Sequence, residues 1–254
     1  MSALNWSQFR ATRKQRTRPL IVAHRGTPDV QPENTLPSFQ LALMQGADAL
    51  ETDLRFTRDD QIVLLHDSTL DRTTDGQGAV QSYTLAELQR YRTRAPNGQL
   101  SAAPIITLAE LIEATNAQTP LLLELKDARF TQSRDAMRLI ELLDRYDMVQ
   151  RTAIISFHRD YVASVEAARP VIPTGNITLW NPLPMSSSEL LGPVWPLLYL
   201  NPLYVWWAHR LGKVICPLDP KPEPRIRYYL RLGVDALLTD NPALTLDAIA
   251  QAQG

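Results

Sequence analysis

The chain has 254 residues, 44% apolar and 21% charged, with a formal net charge of −1 at pH 7. That is ordinary globular composition, long enough for one core of α/β-barrel size. The near-neutral charge gives no electrostatic footprint for nucleic acid, and no uninterrupted apolar segment reaches the roughly 18 residues of a spanning helix.

Residues 1–18 carry Arg10, Arg13, Lys14, Arg16 and Arg18 without the apolar stretch of a secretory leader. The lone cysteine, Cys216, excludes an intramolecular disulfide and fits a reducing compartment, so a cytoplasmic location is expected. Short apolar runs then alternate with longer helical patterns, the signature of βα units and a parallel sheet. Residues 20–23 predict the first strand. Residues 35–44 predict a helix, with Leu36, Phe39, Leu43 and Met44 on its apolar face and Gly46 closing it. Residues 49–54 and 62–65 predict the second and third strands.

Residues 67–104 hold one short helix among turn residues and read as an insertion after the third strand. Thr84 with Glu87, and Thr107 with Glu110, form Thr-x-x-Glu capping boxes. Residues 121–125, 153–157, 171–177, 213–218 and 234–239 complete eight runs, although Pro173 and Pro217 sit awkwardly inside two of them. A weaker ninth covers 197–200. Eight strands suit a closed α/β barrel, with residues 1–254 as one domain.

Residues 170–224 hold 11 of the 19 prolines, and four of the five tryptophans fall within 180–207. This stretch reads as irregular loops across a barrel rim. Its Trp195, Leu197, Leu198, Tyr199, Leu203, Tyr204, Trp206 and Trp207 are expected to cover the outer wall. The sharper alternative is an exposed face making peripheral contact with a membrane or another chain.

Four runs end in ionisable residues. Residues 21–23 lead into His24-Arg25-Gly26, Leu50 into Glu51-Thr52-Asp53, residues 62–65 into His66-Asp67, and residues 121–123 into Glu124-Leu125-Lys126. In a parallel barrel these tips converge on one rim. Residues two apart on a strand share a side, so Glu51 faces with Asp53 and Glu124 with Lys126. Paired carboxylates in a barrel mouth are costly unless a cation neutralises them. Three oxygen donors without thiolate or imidazole favour Ca²⁺ or Mg²⁺ over zinc, the bland alternative being a solvated strand end.

Adding a divalent ion, Arg25 and Lys126 to three carboxylates gives a sum of about +1, complementary to a small, singly charged phosphodiester. His24 and His66, with an ordinary pKa of about 6.5, suit base and acid at neutral pH. His158 and His209 read as structural. Cys216 reads as inert, and the turn-rich stretch 71–78, with Arg72, as the support of His66.

His24-Arg25-Gly26, Pro32-Glu33-Asn34-Thr35, Glu51-Thr52-Asp53 and His66-Asp67 together resemble the glycerophosphodiester phosphodiesterase family. So do Leu70-Asp71-Arg72-Thr73-Thr74-Asp75-Gly76, Glu124-Leu125-Lys126, Gly233-Val234-Asp235 and Thr239-Asp240-Asn241-Pro242. The resemblance spans nearly the whole chain and is weakest over 177–224. It implies a (β/α)8 TIM barrel that hydrolyses glycerophosphodiesters to glycerol 3-phosphate and an alcohol. By position, Glu51, Asp53 and Glu124 would hold a divalent metal, and His24 and His66 would form the acid/base pair. Arg25 and Lys126 would meet the phosphate, with Glu33 close behind or on the glycerol side.

One departure concerns the Trp-Thr-Val-Asn-like motif usual on the family's penultimate strand. Here the corresponding residues are Cys216-Pro217-Leu218-Asp219, so the alcohol or glycerol side of the pocket differs. Two rivals remain: a lysophospholipase D acting on lysophospholipids, with the Trp-rich stretch as its acyl surface, and a catalytically inactive barrel serving as a binding module. Against the second stands the presence of every ionisable residue the reaction needs. Which histidine is the base stays open, as does the choice between water and the glycerol hydroxyl as nucleophile.

Overall fold

A strand wedged between a barrel interior and an outer layer of helices must be apolar on both faces, and Leu121–Leu125 is buried at all five positions. In a computed structural model, which describes Asn5, Trp6, Phe9 and residues 15–254, this run is one stave of a parallel barrel. Arg10, Arg13 and Lys14 of the basic N-terminal stretch lie outside the described residues.

The strands are β1 (Leu20–His24), β2 (Ala49–Phe56), β3 (Ile62–Leu64), β4 (Leu121–Leu125), β5 (Thr152–Ser156), β6 (Thr174–Thr178), β7 (Leu190–Pro193), β8 (Val214–Ile215) and β9 (Ala236–Thr239). Eight of them run parallel in the order β8-β7-β6-β5-β4-β2-β1-β9. Asp235 draws the two ends together. Its backbone N–H donates to the Ile215 carbonyl at 3.0 Å, and its Oδ2 accepts the Ile215 N–H at 2.8 Å. The result is a nearly closed (β/α)8 barrel.

Two staves differ from the sequence expectation. The run at 62–65 is not a parallel stave, because β3 folds back antiparallel on β2, pairing Leu64 with Leu54 and Ile62 with Phe56. The eighth stave is instead β7, whose four residues Leu-Leu-Gly-Pro give too short an apolar run to register as a strand. The weak candidate at 197–200 belongs to the helix Trp195–Leu200. Pro173 and Pro217 fall just outside β6 and β8, where no ladder donor is needed.

Strand alternation then sorts the side chains. Leu20, Val22, Ala49, Leu122, Ala153, Leu190, Val214, Ala236 and Leu238 point inward, and Trp6 and Phe9 pack on the same cluster. The alternate positions pack outward against helices, as Leu50, Leu121 and Leu123 do beside Phe39, Leu111 and Leu139. Continuing the inward parity along β1, β2 and β4 reaches His24, Glu51 with Asp53, and Glu124 with Lys126. The insertion after β3 forms its own small core of Val63, Leu65, Leu70, Val80, Leu88 and Ile105. Both Thr-x-x-Glu capping boxes are formed.

The Trp-rich stretch divides in two. Leu198, Tyr204, Val205 and Ala208 bury against Ile21, Ile215 and Leu237 on the outer wall, while Trp180, Leu200, Leu203 and Trp206 face solvent. Among the described residues, no helix is long and apolar enough to cross a membrane.

Candidate active site

At the end of β1 the chain must turn sharply. Arg25 has φ 55° and Gly26 φ 88°, and a Cβ on Gly26 would lie 2.3 Å from Ser38 Oγ. Only glycine fits that approach. Ser38 Oγ accepts the Thr27 N–H at 2.7 Å and donates to the Arg25 carbonyl at 3.1 Å, fixing the turn. The Arg25 guanidinium then lies at the mouth, its Nε 3.0 Å from Asp53 Oδ2 and its Nη1 3.2 Å from Glu33 Oε1.

His66 arrives by the hairpin rather than by a parallel stave. β3 returns alongside β2 until the Leu65 N–H donates to the Asp53 carbonyl at 3.0 Å, which brings the next residue to the level of Asp53. Arg55 secures this join. Its Nε and Nη2 donate to the His66 carbonyl at 2.9 and 2.6 Å, and its Nη1 donates to the Lys126 carbonyl at 2.9 Å.

Carboxylate oxygens of Glu51, Asp53 and Glu124 lie within 4.8 Å of one another, and all three residues are buried. The register of β2 on β4 places Asp53 directly opposite Glu124. Asn34 Nδ2 donates to Asp53 Oδ2 at 3.0 Å, and Thr52 Oγ1 donates to Asn34 Oδ1 at 2.8 Å, which fixes the amide's orientation. Lys126 Nζ sits 2.6 Å from Glu124 Oε1 and 3.6 Å from Asp53 Oδ1. Despite that charge contact, Glu124 Oε1 and Asp53 Oδ1 accept no hydrogen bond of good geometry although both are buried.

Burial and the neighbouring Asp53 raise the pKa of Glu51 well above the carboxylate range, and raise that of Glu124 to about 7. For Asp53 burial acts the same way, but Arg25 and Lys126 override it and hold the pKa low. Three converging carboxylates, with Glu124 Oε1 and Asp53 Oδ1 met chiefly by the Lys126 ammonium, fit a hard divalent cation. A positive ion there would offset the cost of ionising the two glutamates.

The two imidazoles are braced alike. His24 Nδ1 lies 2.7 Å from Asp240 Oδ1, and His66 Nδ1 lies 2.7 Å from Asp67 Oδ1. A carboxylate at Nδ1 favours the proton on that nitrogen and leaves Nε2 for chemistry. Arg72 extends the support, donating to Asp67 at 2.5 Å and to Glu33 at 2.7 and 2.8 Å. Burial alone would raise the Asp67 pKa, but hydrogen bonds from Arg72 and His66 lower it to about 2. For His66, burial is the main cause of a pKa below the usual imidazole value.

One cavity of about 400 Å³ is lined by His24, Arg25, Glu51, His66, Glu124 and Lys126. Asp53 lies buried beneath it, held by Arg25 and Asn34. Glu33 lines a smaller neighbouring cavity of about 230 Å³ with Arg72 and Arg94. His158 stacks on Tyr161, and His209 pairs with Asp235 at 2.9 Å, both outside the site. Cys216 lines the 400 Å³ cavity, its thiol pushed up to about 12 by burial and therefore protonated at neutral pH.

Sequence reasoning overlooked Asp240, Asn34 and Arg55, and gave Asp67 no role of its own. Asp67, Asn34 and Asp240 all stood within motifs already singled out, but none was given a role. Asp240 is 216 positions from His24, and only the pairing of β9 with β1 brings them together.

The sequence matches the glycerophosphoryl diester phosphodiesterase family over residues 24–244. It is 28% identical over 240 residues to a glycerophosphodiester phosphodiesterase of Caldanaerobacter subterraneus subsp. tengcongensis, covering 91% of this chain and 97% of that protein. A Bacillus altitudinis glycerophosphodiester phosphodiesterase is 29% identical over 242 residues, covering 87% of this chain and 94% of that one. Among solved structures, an Oleispira antarctica phosphodiesterase in complex with the product sn-glycerol-3-phosphate is similar with a TM-score of 0.80 at 27% identity, covering 91% of this chain and 97% of the other. Since the family match runs from His24 at the end of β1 to the start of the last helix, and with it takes in both imidazoles and the acidic trio, the chain belongs to the glycerophosphoryl diester phosphodiesterase family and is a phosphoric diester hydrolase.

Proposed function

We propose that this chain, acting as one barrel domain over residues 1–254, hydrolyses glycerophosphodiesters to glycerol 3-phosphate and an alcohol in the cytoplasm. The observation that carries this reading is the meeting of two Asp-braced imidazoles in one cavity with a buried acidic trio, two of whose members line it while the third, Asp53, lies beneath. Glu51, Asp53 and Glu124 would hold Ca²⁺ or Mg²⁺. When bound, the cation would polarise a non-bridging phosphate oxygen. Arg25 and Lys126 supply positive charge to the same phosphate, while Glu33 orients Arg25 and Arg72 beside the glycerol end.

His24 Nε2 takes the proton of the attacking hydroxyl, from water or from the glycerol moiety. The new P–O bond forms as the bond to the alcohol breaks, and His66, entering the step as the imidazolium with its Nδ1–H on Asp67, protonates the departing oxygen from Nε2. If the glycerol hydroxyl attacks first, water then opens the cyclic phosphate with the two roles exchanged. His24 is the more enclosed ring, its side chain 13% exposed against 33% for His66. That suits proton removal inside the cavity and alcohol departure beside His66.

Phosphorus NMR of product mixtures from a panel of diesters tests the reading. Glycerol 3-phosphate from glycerophosphodiesters is expected, and a transient cyclic phosphate would identify the nucleophile. No turnover of any diester in the presence of Ca²⁺ or Mg²⁺ would favour the inactive binding barrel.

A further inference from the structure

The cavity is sharply two-sided. Staves β1, β2 and β4 and the β3 hairpin, which brings His66, contribute most of its ionisable residues, whereas the tips of β5 to β9 contribute Phe157, Ile177, Val194, Leu218 and Leu238. Asp219 on this second wall is engaged, accepting from Arg225 at 2.6 and 2.7 Å and from Tyr229 at 2.6 Å. Asp240 is engaged by His24. The wall carries two aromatic rings, and a cation of the protein already lies on each: the Arg225 guanidinium 4.5 Å from the Trp195 centroid and Lys126 Nζ 5.2 Å from that of Phe157. The wall therefore offers a cationic headgroup neither an unengaged carboxylate nor an aromatic cage. Nor does it offer a polyol the convergent donors and acceptors that a hydrophilic alcohol needs when it leaves water.

We propose that this wall receives an apolar group carried on the phosphodiester, so that the preferred substrates bear an alkyl, aryl or short acyl chain rather than choline, ethanolamine or inositol. The inference rests on the proposed diesterase reaction and specifies its substrate class. Phosphorus sits over the charged half, and the chain lies across β5 to β9. Gly192 on β7 opens the space. It lines the cavity, and a Cβ added there would meet the Cys216 carbonyl and Ile177 Cγ1 at an ordinary 3.5 Å. A larger residue at 192 would consequently fill the apolar half without breaking the stave.

Two substrate series locate the chain: glycerophospho-n-alkanols from ethanol to octanol, and glycerophosphoethanol acylated on glycerol with acetyl to hexanoyl groups, all below micelle formation. In the series that carries the chain correctly, kcat/KM should rise by about fourfold per buried methylene until the wall is filled. Gly192→Leu should flatten that rise. An enzyme that turns over glycerophosphoethanol yet shows flat or falling kcat/KM in both series would overturn this inference and leave the diesterase reading intact. Should no diester be hydrolysed, the diesterase reading fails by itself. Calorimetric binding of n-alkyl phosphates then decides on the wall, with chain-length-independent affinity overturning it.

Discussion

Replacing Asp240 by Asn isolates the contribution of one carboxylate that never needs to touch the substrate. Asp240 Oδ1 lies 2.7 Å from His24 Nδ1, and both side chains are largely enclosed, 14% and 13% exposed. A hydrogen bond to a charged group in such a setting contributes about 1.5–3 kcal/mol, or roughly 10- to 150-fold in rate if all of it is felt as the imidazolium forms. Asparagine adds a second effect. Its amide can donate to Nδ1, which moves the imidazole proton to Nε2 and removes the lone pair that accepts from the nucleophile. Together these give an expected fall in kcat of about a hundredfold or more, with KM changed much less because Asp240 faces the ring and not the phosphate.

The assay is steady-state release of glycerol 3-phosphate across substrate concentration, with thermal unfolding as a control for folding. Asp240→Asn combined with His24→Ala should be little worse than His24→Ala alone, since the two groups act as a unit. A well-folded Asp240→Asn enzyme within threefold of the wild-type kcat would refute the argument. So would full additivity in the double variant.

His24→Ala and His66→Ala should each lower kcat by about a hundredfold or more in the same assay; near wild-type rates would remove that residue from the reaction. Cys216→Trp, which puts a bulky ring into the apolar half of the cavity, should alter KM or substrate preference and leave divalent-ion affinity within a few fold by calorimetry. Asp67 has its pKa lowered from 3.8 to about 2 in the folded protein, so its stabilising contribution is present above about pH 4 and disappears as the pH falls towards 2. The difference in thermal midpoint between wild type and Asp67→Asn should therefore be largest near neutrality and shrink over that acid interval; a constant difference would contradict the linkage.

Inward and outward alternation on β1, β2 and β4 was legible because each run is long, apolar and capped by an ionisable tip. His24, Glu51, Asp53, Glu124 and Lys126 therefore fell where strand parity placed them. The third tip was reached for a different reason. Nothing in residues 62–65 distinguishes a parallel stave from the return arm of a hairpin, and only the turn at residues 57–61 makes β3 antiparallel. His66 nevertheless lands at the mouth because the arm returns to the level of Asp53. β7 was hidden by its brevity and by Gly192 and Pro193, residues that ordinarily argue against a strand. Asp240 stood in the Thr239-Asp240-Asn241-Pro242 motif, but its pairing with His24 was beyond local reading, since that partner comes from the far end of the chain.

Beneath these tests lies the claim that Glu51, Asp53 and Glu124 jointly hold one divalent cation beside the two braced imidazoles. Titrating chelator-treated, metal-free protein with Mg²⁺ or Ca²⁺ by calorimetry, while measuring diester hydrolysis on the same samples, addresses it directly. One site per chain is expected, with activity returning in proportion to occupancy and both signals lost in Asp53→Asn. Full turnover by metal-free enzyme, or saturable binding that survives in Asp53→Asn with activity intact, would contradict the account.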